Sequence, residues 1–75
     1  MNEVYCRGVR LLQGYTYIVT SATLNDPIWA EFHEFDPHND VLTFKRNDHG
    51  EYVDEYIIYS NVLNIEPWPT SQDLS

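Results

Sequence analysis

The chain has 75 residues, of which 43% are hydrophobic, and it carries 12 acidic side chains against 4 basic ones, for a net charge of −8. This composition is too apolar for intrinsic disorder and fits one small domain. Proteins that bind nucleic-acid backbones or anionic membranes need clustered Lys and Arg side chains. The bases here form two separate pairs, Arg7 with Arg10 and Lys45 with Arg46, so the charge favours a partner with a basic surface.

Residues 4–12 form the first predicted element, and their pattern is ambiguous. Asn2 could cap a short N-terminal helix with Val4 and Val9 on one side, but Gly8 inside that helix would cost about 1 kcal/mol. We predict a strand over 4–12 and keep the helix as the alternative.

The remaining chain alternates strand-like segments with turn signals. Further strands are predicted over 15–23, 28–35, 41–46, 52–59 and 62–65, separated by turns at 25–27 and 36–40 and a hairpin loop at 47–50. The segment 28–35 has large apolar residues on both faces, which predicts cover on both sides at one end. Pro67 and Pro69 are expected to end the regular structure, before a mobile polar tail at 70–75.

Five or six short strands with turns every 8–12 residues predict a mostly-β domain over residues 1–69. We expect a small, strongly bent antiparallel barrel, because closure removes exposed sheet edges. Cys6 is the only cysteine, so no intramolecular disulfide is possible. With no signal segment near Met1 and no long apolar run, the expected location is the cytoplasm of a cell or of an infected host cell.

Three segments resemble the Sm/LSm family of small bent barrels. Residues 9–14 resemble its opening strand and turn, 35–42 its first motif, and 57–65 its second motif. The resemblance implies an Sm/SH3-like barrel in which Asp36 and Asn39 would contact RNA. Tyr59-Ser60 stands where the family usually has the Arg-Gly pair that holds a base. A ring that binds RNA or a small nucleotide through Asp36, Asn39, Lys45 and Arg46 is therefore the second hypothesis.

His33 and His38 are the candidates for a metal site, because imidazole and nearby carboxylates suit zinc. On a strand, however, neighbouring side chains point to opposite faces, so the two imidazoles meet only if the turn after Asp36 folds back. A small metal-dependent enzyme is the third hypothesis. Cys6 lacks an evident catalytic partner, and no nucleophile elbow or phosphate-binding loop occurs. We therefore predict a protein without a cofactor that is not an enzyme.

Acidic residues are concentrated in the predicted strands and hairpins between positions 31 and 55. A rigid array of carboxylates can imitate nucleic-acid phosphates and occupy a basic groove, and in size and charge the chain resembles small acidic inhibitors made by phages. The predicted partner-binding acids are Glu31, Glu34, Asp36, Asp40, Glu51, Asp54 and Glu55. The competing interpretation is a solvated, charged strand face.

Aromatic residues exceed what a core of this size can bury, and exposed Tyr and Trp side chains favour interfaces. The predicted interface aromatics are Tyr15, Tyr17, Trp29, Tyr52, Tyr56, Tyr59 and Trp68. The leading hypothesis is a homo-oligomeric, non-enzymatic module that binds another protein through acidic and aromatic surface. Its specific form is an inhibitor that occupies the nucleic-acid-binding surface of a host protein.

Overall fold

A computed structural model describes residues 3–68, which form seven antiparallel strands. The strands are β1 (Val4–Cys6), β2 (Val9–Leu11), β3 (Thr16–Ser21), β4 (Ile28–Asp36), β5 (Val41–Asp48), β6 (Glu51–Ile58) and β7 (Val62–Trp68). A single 3₁₀ turn, Tyr59–Asn61, joins β6 to β7. The predicted tail at 70–75 and the proposed helix cap at Asn2 lie outside the described residues.

The strands form two sheets. β1 and β2 pair as a separate hairpin, and the other five strands lie in the order β6-β5-β4-β3-β7. The last strand of the chain therefore returns to lie beside β3, the first strand of the larger sheet. The prediction of a mostly-β chain is confirmed. The closed barrel is not, because β6 and β7 remain the two edges of the five-stranded sheet within residues 3–68.

The N-terminal segment is a hairpin, so both the single strand over 4–12 and the alternative helix are wrong. Cys6 pairs with Val9, and the two residues between them, Arg7 and Gly8, have φ of 52° and 83°. A two-residue turn with both φ values positive matches the right-handed twist of the paired strands. Glycine adopts this conformation at little cost, whereas Arg7 is a residue type that rarely does.

Two irregularities in register decide which side chains face the core. In β4, Phe32 pairs with Phe44 and Glu34 with Thr43, which leaves His33 as an extra residue. The bulge reverses the alternation of faces, so Phe35 packs against the core along with Phe32. The expectation of cover on both sides of this strand is wrong, since Phe35 shares the core face with Phe32, and Trp29 on the other face is 51% exposed.

The second irregularity lies in β7. Thr20 pairs with Asn64 and Ser21 with Val62, which leaves Leu63 unpaired and 55% exposed. Val62 and Ile65 are both buried as a result. The strand then continues through Pro67, which pairs with Tyr17. Proline is tolerated there because β7 is an edge strand whose outer side has no partner in the described part of the chain. The predicted strand end at 65 is therefore three residues too early.

One face of the five-stranded sheet forms the core, and the β1–β2 hairpin packs against it. The buried apolar residues are Cys6, Leu11, Tyr17, Val19, Ala30, Phe32, Leu42, Phe44, Ile57, Val62 and Ile65. The rings of Phe32 and Phe44 meet at 5.6 Å between centroids in an edge-on contact. Such a core accounts for most of the stability of a domain this small.

Tyr17 joins the hairpin to the sheet. Its hydroxyl accepts a hydrogen bond from the backbone N–H of Leu12 at 2.8 Å and donates one to the carbonyl of Arg10 at 3.1 Å. Tyr59 donates from its hydroxyl to the carbonyl of Tyr5. Because Tyr17 is only 2% exposed, its two bonds are partly shielded from water, and together with the bond from Tyr59 they fix the position of the hairpin.

Replacing Tyr17 with Phe should loosen the hairpin. The substitution keeps the ring but leaves the Leu12 N–H without its acceptor. The free energy of unfolding, measured with urea, should therefore fall by about 1–3 kcal/mol. Cys6, which is fully buried beside the turn, should then react faster with a thiol reagent. Tyr15→Phe is the matched control, since Tyr15 is 49% exposed. Equal stability and equal Cys6 reactivity in the two variants would contradict this role of Tyr17.

Candidate functional site

The face of the large sheet opposite the core, here called the outer face, is free of other elements in the described part of the chain. Its central row follows from the register: Trp68 pairs with Thr16, Thr16 with Glu31, Glu31 with Lys45, and Lys45 with Asp54. Thr16, Glu31 and Lys45 each adjoin a buried residue in sequence, and directly paired residues share one face, so all five side chains point away from the core. This row crosses every strand of the five-stranded sheet.

Four large aromatic side chains lie on the outer face. Trp29 is 51% exposed, Trp68 46%, Tyr52 70% and Tyr56 68%. The two indole rings meet edge-on, with centroids 6.2 Å apart. These four residues, called the outer aromatic set below, leave an unusual amount of apolar surface in water for so small a domain.

Of the other predicted interface aromatics, Tyr15 is exposed at the start of β3, whereas Tyr17 and Tyr59 have structural roles. Tyr17 is buried and Tyr59 packs against the core, its ring 5.1 Å from that of Phe35. Tyr17 is therefore not part of the exposed surface, and Tyr59 is only partly exposed. Their period-two alternation alone does not separate them from the exposed tyrosines, because only the register states which face is buried.

A depression of about 210 Å³ opens on the outer face beside the central row. Its lining includes Trp29, Glu31, Lys45, Asn47 and Tyr52. This volume is below the roughly 300–1,000 Å³ of pockets that hold a whole small-molecule ligand. The depression has the size for one side chain of a partner, with two aromatic rings and a carboxylate in its walls.

Lys45 is the one base in the central row, and it is engaged by Asp54. Its Nζ lies 2.9 Å from Oδ1 of Asp54, whose other oxygen accepts a hydrogen bond from the hydroxyl of Tyr56. The hydrogen bond from Lys45 lowers the pKa of Asp54 below its ordinary value of 3.8 and in turn raises the pKa of Lys45. The pair thus keeps both charges at neutral pH and holds the ammonium toward β6.

The seven predicted partner-binding acids do not form one array. Glu31, Glu34 and Asp54 share the outer face, since Glu34 pairs with the outward-facing Thr43. Glu55 lies on the core side of the sheet, where its carboxylate binds Arg46 at 2.8 Å. Glu51 is exposed at the tip of the β5–β6 hairpin.

Asp36 and Asp40 hold turns together. Asp36 accepts hydrogen bonds from the side chain of Asn39 at 2.8 Å and from the N–H of His38 at 3.0 Å, and the bond from Asn39 lowers its pKa. Asp40, with φ of 61°, accepts a hydrogen bond from the hydroxyl of Ser60 at 2.9 Å. These carboxylates are bound within the chain and contribute less to a docking surface.

The residues of the second hypothesis do not converge. Asp36 and Asn39 lie at the β4–β5 turn, whereas Lys45 and Arg46 lie toward the opposite end of β5 and point to opposite faces of the sheet. Both bases are also held by acids of the same chain, Asp54 and Glu55. A nucleotide site built from these four residues therefore has no common centre in one copy of the chain.

The metal candidates are also separate. Among residues 3–68, no group of three or more His, Cys, Asp or Glu side chains is arranged to hold a metal ion. His33 occupies the bulge of β4, and His38 is exposed in the following turn. Cys6 is buried, and its desolvation raises the pKa of the thiol.

None of the helices within the described residues is long and apolar enough to cross a membrane.

The predicted set of partner-binding acids omits one acid of the outer face, Glu66. Glu66 pairs with Ile18, which pairs in turn with Trp29, so it lies on the same face as the outer aromatic set. The predicted last strand ends at residue 65, because Pro67 is expected to end the regular structure. An edge strand tolerates proline, so the strand can extend through Pro67 if it lies at a sheet edge. That edge position is known only once the strand order is known.

Comparison of the chain with protein-family models, with curated proteins and with solved structures gave no match.

Removing the Lys45 ammonium should raise the pKa of Asp54 toward 3.8. In Lys45→Met, NMR titration of the side-chain carboxyl should show this rise, while Arg46→Met, which removes a base from the other face, should leave Asp54 unchanged. Because the folded pKa is the lower one, the stabilisation by the pair is present above the unfolded pKa. It is lost as the pH falls through the folded value. An Asp54 pKa that responds equally to both variants would contradict the specific pairing.

Proposed function

We propose that the chain is a non-enzymatic protein-binding module whose outer face docks on a basic surface of another protein. The observation that carries this proposal is that exposed aromatic rings and carboxylates occupy the same face of a rigid sheet. Aromatic side chains supply the energetically dominant contacts in many interfaces, and charge complementarity supplies orientation and a faster encounter. A purely solubilising surface would have no reason to include two half-exposed tryptophans.

The charge of this face supports a basic partner. By register, five acids among residues 3–68 lie on it, Glu31, Glu34, Asp36, Asp54 and Glu66, against the single base Lys45. With a net charge of −8 on the whole chain, the field at this face is negative and would attract a cationic surface from a distance. The acids most available to a partner are those without internal ion pairs. A carboxylate that already binds a cation of its own chain interacts less strongly with a new one.

The specific form of the proposal is an inhibitor, of the kind encoded by phages or mobile elements, that occupies the nucleic-acid-binding surface of a host protein in the cytoplasm. Strand spacing fixes the outer-face acids relative to one another, as phosphates are fixed on a duplex. The strand order, with β7 beside β3, is compatible with an Sm/SH3-like open barrel. Homo-oligomers would form by covering part of the outer aromatic set.

Reversing two outer-face charges tests the proposal. The variant Glu31→Lys with Glu34→Lys brings the net charge from −8 to −4, since each reversal adds two. Affinity capture from nuclease-treated lysate, quantified by mass spectrometry, should lose its basic partners in this variant. The same partners should be released by high salt and by added duplex DNA or RNA.

The matched control carries the same change in net charge elsewhere. Asp26 lies in the β3–β4 connection and Glu51 at the hairpin tip, both exposed and outside the outer face. The variant Asp26→Lys with Glu51→Lys should keep most of the capture. If both double variants lose the same partners equally, net charge and not the outer face drives binding. If capture persists at high salt in the wild type, the electrostatic form of the proposal is wrong.

A further inference from the structure

We propose that the depression on the outer face receives an arginine side chain of the partner. The inference rests on the proposed function, and it names the group that the face recognises. Its basis is the combination of two exposed aromatic rings, Trp29 and Tyr52, with the carboxylate of Glu31 around a space that fits a single side chain.

The sign of the charge inside the depression favours a cation. Glu31 lies near enough to Lys45 to help raise the pKa of that ammonium, but it forms no ion pair within 4 Å with another of the described residues, so its carboxylate can bind a further cation. Lys45 also lines the space, but its ammonium is held 2.9 Å from Asp54. Glu31, Lys45 and Asp54 together carry one net negative charge, which an incoming cation would neutralise.

The shape of the walls favours arginine over lysine. A guanidinium group is planar, stacks on aromatic rings and binds a carboxylate through two parallel hydrogen bonds. It is also less strongly hydrated than an ammonium group, so it loses less on entering a half-open, aromatic site. Trp29 is the stronger of the two rings for such a contact, because the indole face attracts cations best.

NMR titration of the full chain with blocked tripeptides tests the inference. The probes are acetyl-Gly-Arg-Gly-amide, its lysine counterpart and its citrulline counterpart, which keeps the shape of arginine without the charge. The arginine peptide should shift the indole N–H of Trp29 and the backbone N–H signals of Glu31 and Asn47. Its dissociation constant should be roughly millimolar, as expected for one side chain. The lysine peptide should bind several-fold more weakly, and the citrulline peptide about tenfold more weakly.

Two variants with a matched control locate the site. Glu31→Gln and Trp29→Leu should each weaken binding of the arginine peptide about tenfold. Tyr56→Leu removes another exposed ring on the same face, but Tyr56 does not line the depression and has no ring contact with Trp29, so binding should change less than twofold. Arg7→Gln should bind the peptide as the wild type does. Tighter binding in that variant would mean that the exposed hairpin arginine of a second copy already fills the site.

Failure of this inference can be distinguished from failure of the proposed function. Equal binding of the arginine and citrulline peptides, or equal loss in Trp29→Leu and Tyr56→Leu, would overturn the arginine site. Either result leaves the charge-reversal test of the outer face unaffected. The converse result is that the peptides show selective arginine binding while partner capture is unchanged by charge reversal. That result would keep the depression as an arginine site and overturn the docking of the whole face.

Discussion

The division of the large sheet into one buried and one solvent-facing side depends on two bulges. Without the extra residue at His33, the alternation of β4 would place Phe35 among the outward-facing acids. Without the extra residue at Leu63, Val62 and Ile65 could not both enter the core. Each bulge costs local pairing and gains burial of a large apolar side chain, which is the dominant favourable term in folding.

This division explains why the surface is distinctive. Because the core uses only one face, every second residue of five strands remains in water, and the sequence places tryptophan and tyrosine at several of these positions. The acids then fall into two classes. Asp36, Asp40 and Glu55 are bound to groups of their own chain, whereas Glu31 and Glu34 have no ion pair among the described residues. Only the second class is free to meet a partner.

Much of the fold could be predicted from the sequence, because period-two alternation and turn residues identify strands and hairpins locally. The strands around Tyr17, Phe44 and Tyr56 lie where the pattern predicts them. The misses have two physical causes, an unusual local backbone conformation and a dependence on long-range pairing. The turn at Arg7 uses a conformation unusual for arginine, and Pro67 is tolerated only at a sheet edge.

The sequence predicts which residue types form the candidate site, but it does not predict which individual residues belong to it. The sequence indicates acids and aromatics in excess of structural need, whereas register decides that Tyr17 is buried and that Glu66 faces outward. The depression could not be foreseen, since its walls come from four strands, β3 to β6, that only the sheet order brings together.

Collisional quenching of tryptophan fluorescence tests most directly whether the outer face is exposed and electronegative. The chain has two tryptophans, and both lie on this face. With each quencher normalised to N-acetyltryptophanamide, caesium should quench the emission more than iodide. The substitutions Glu31→Gln and Glu34→Gln should narrow that difference more than Asp26→Asn and Glu51→Asn. Emission typical of buried indoles, or an equal response to the two pairs of substitutions, would contradict the account.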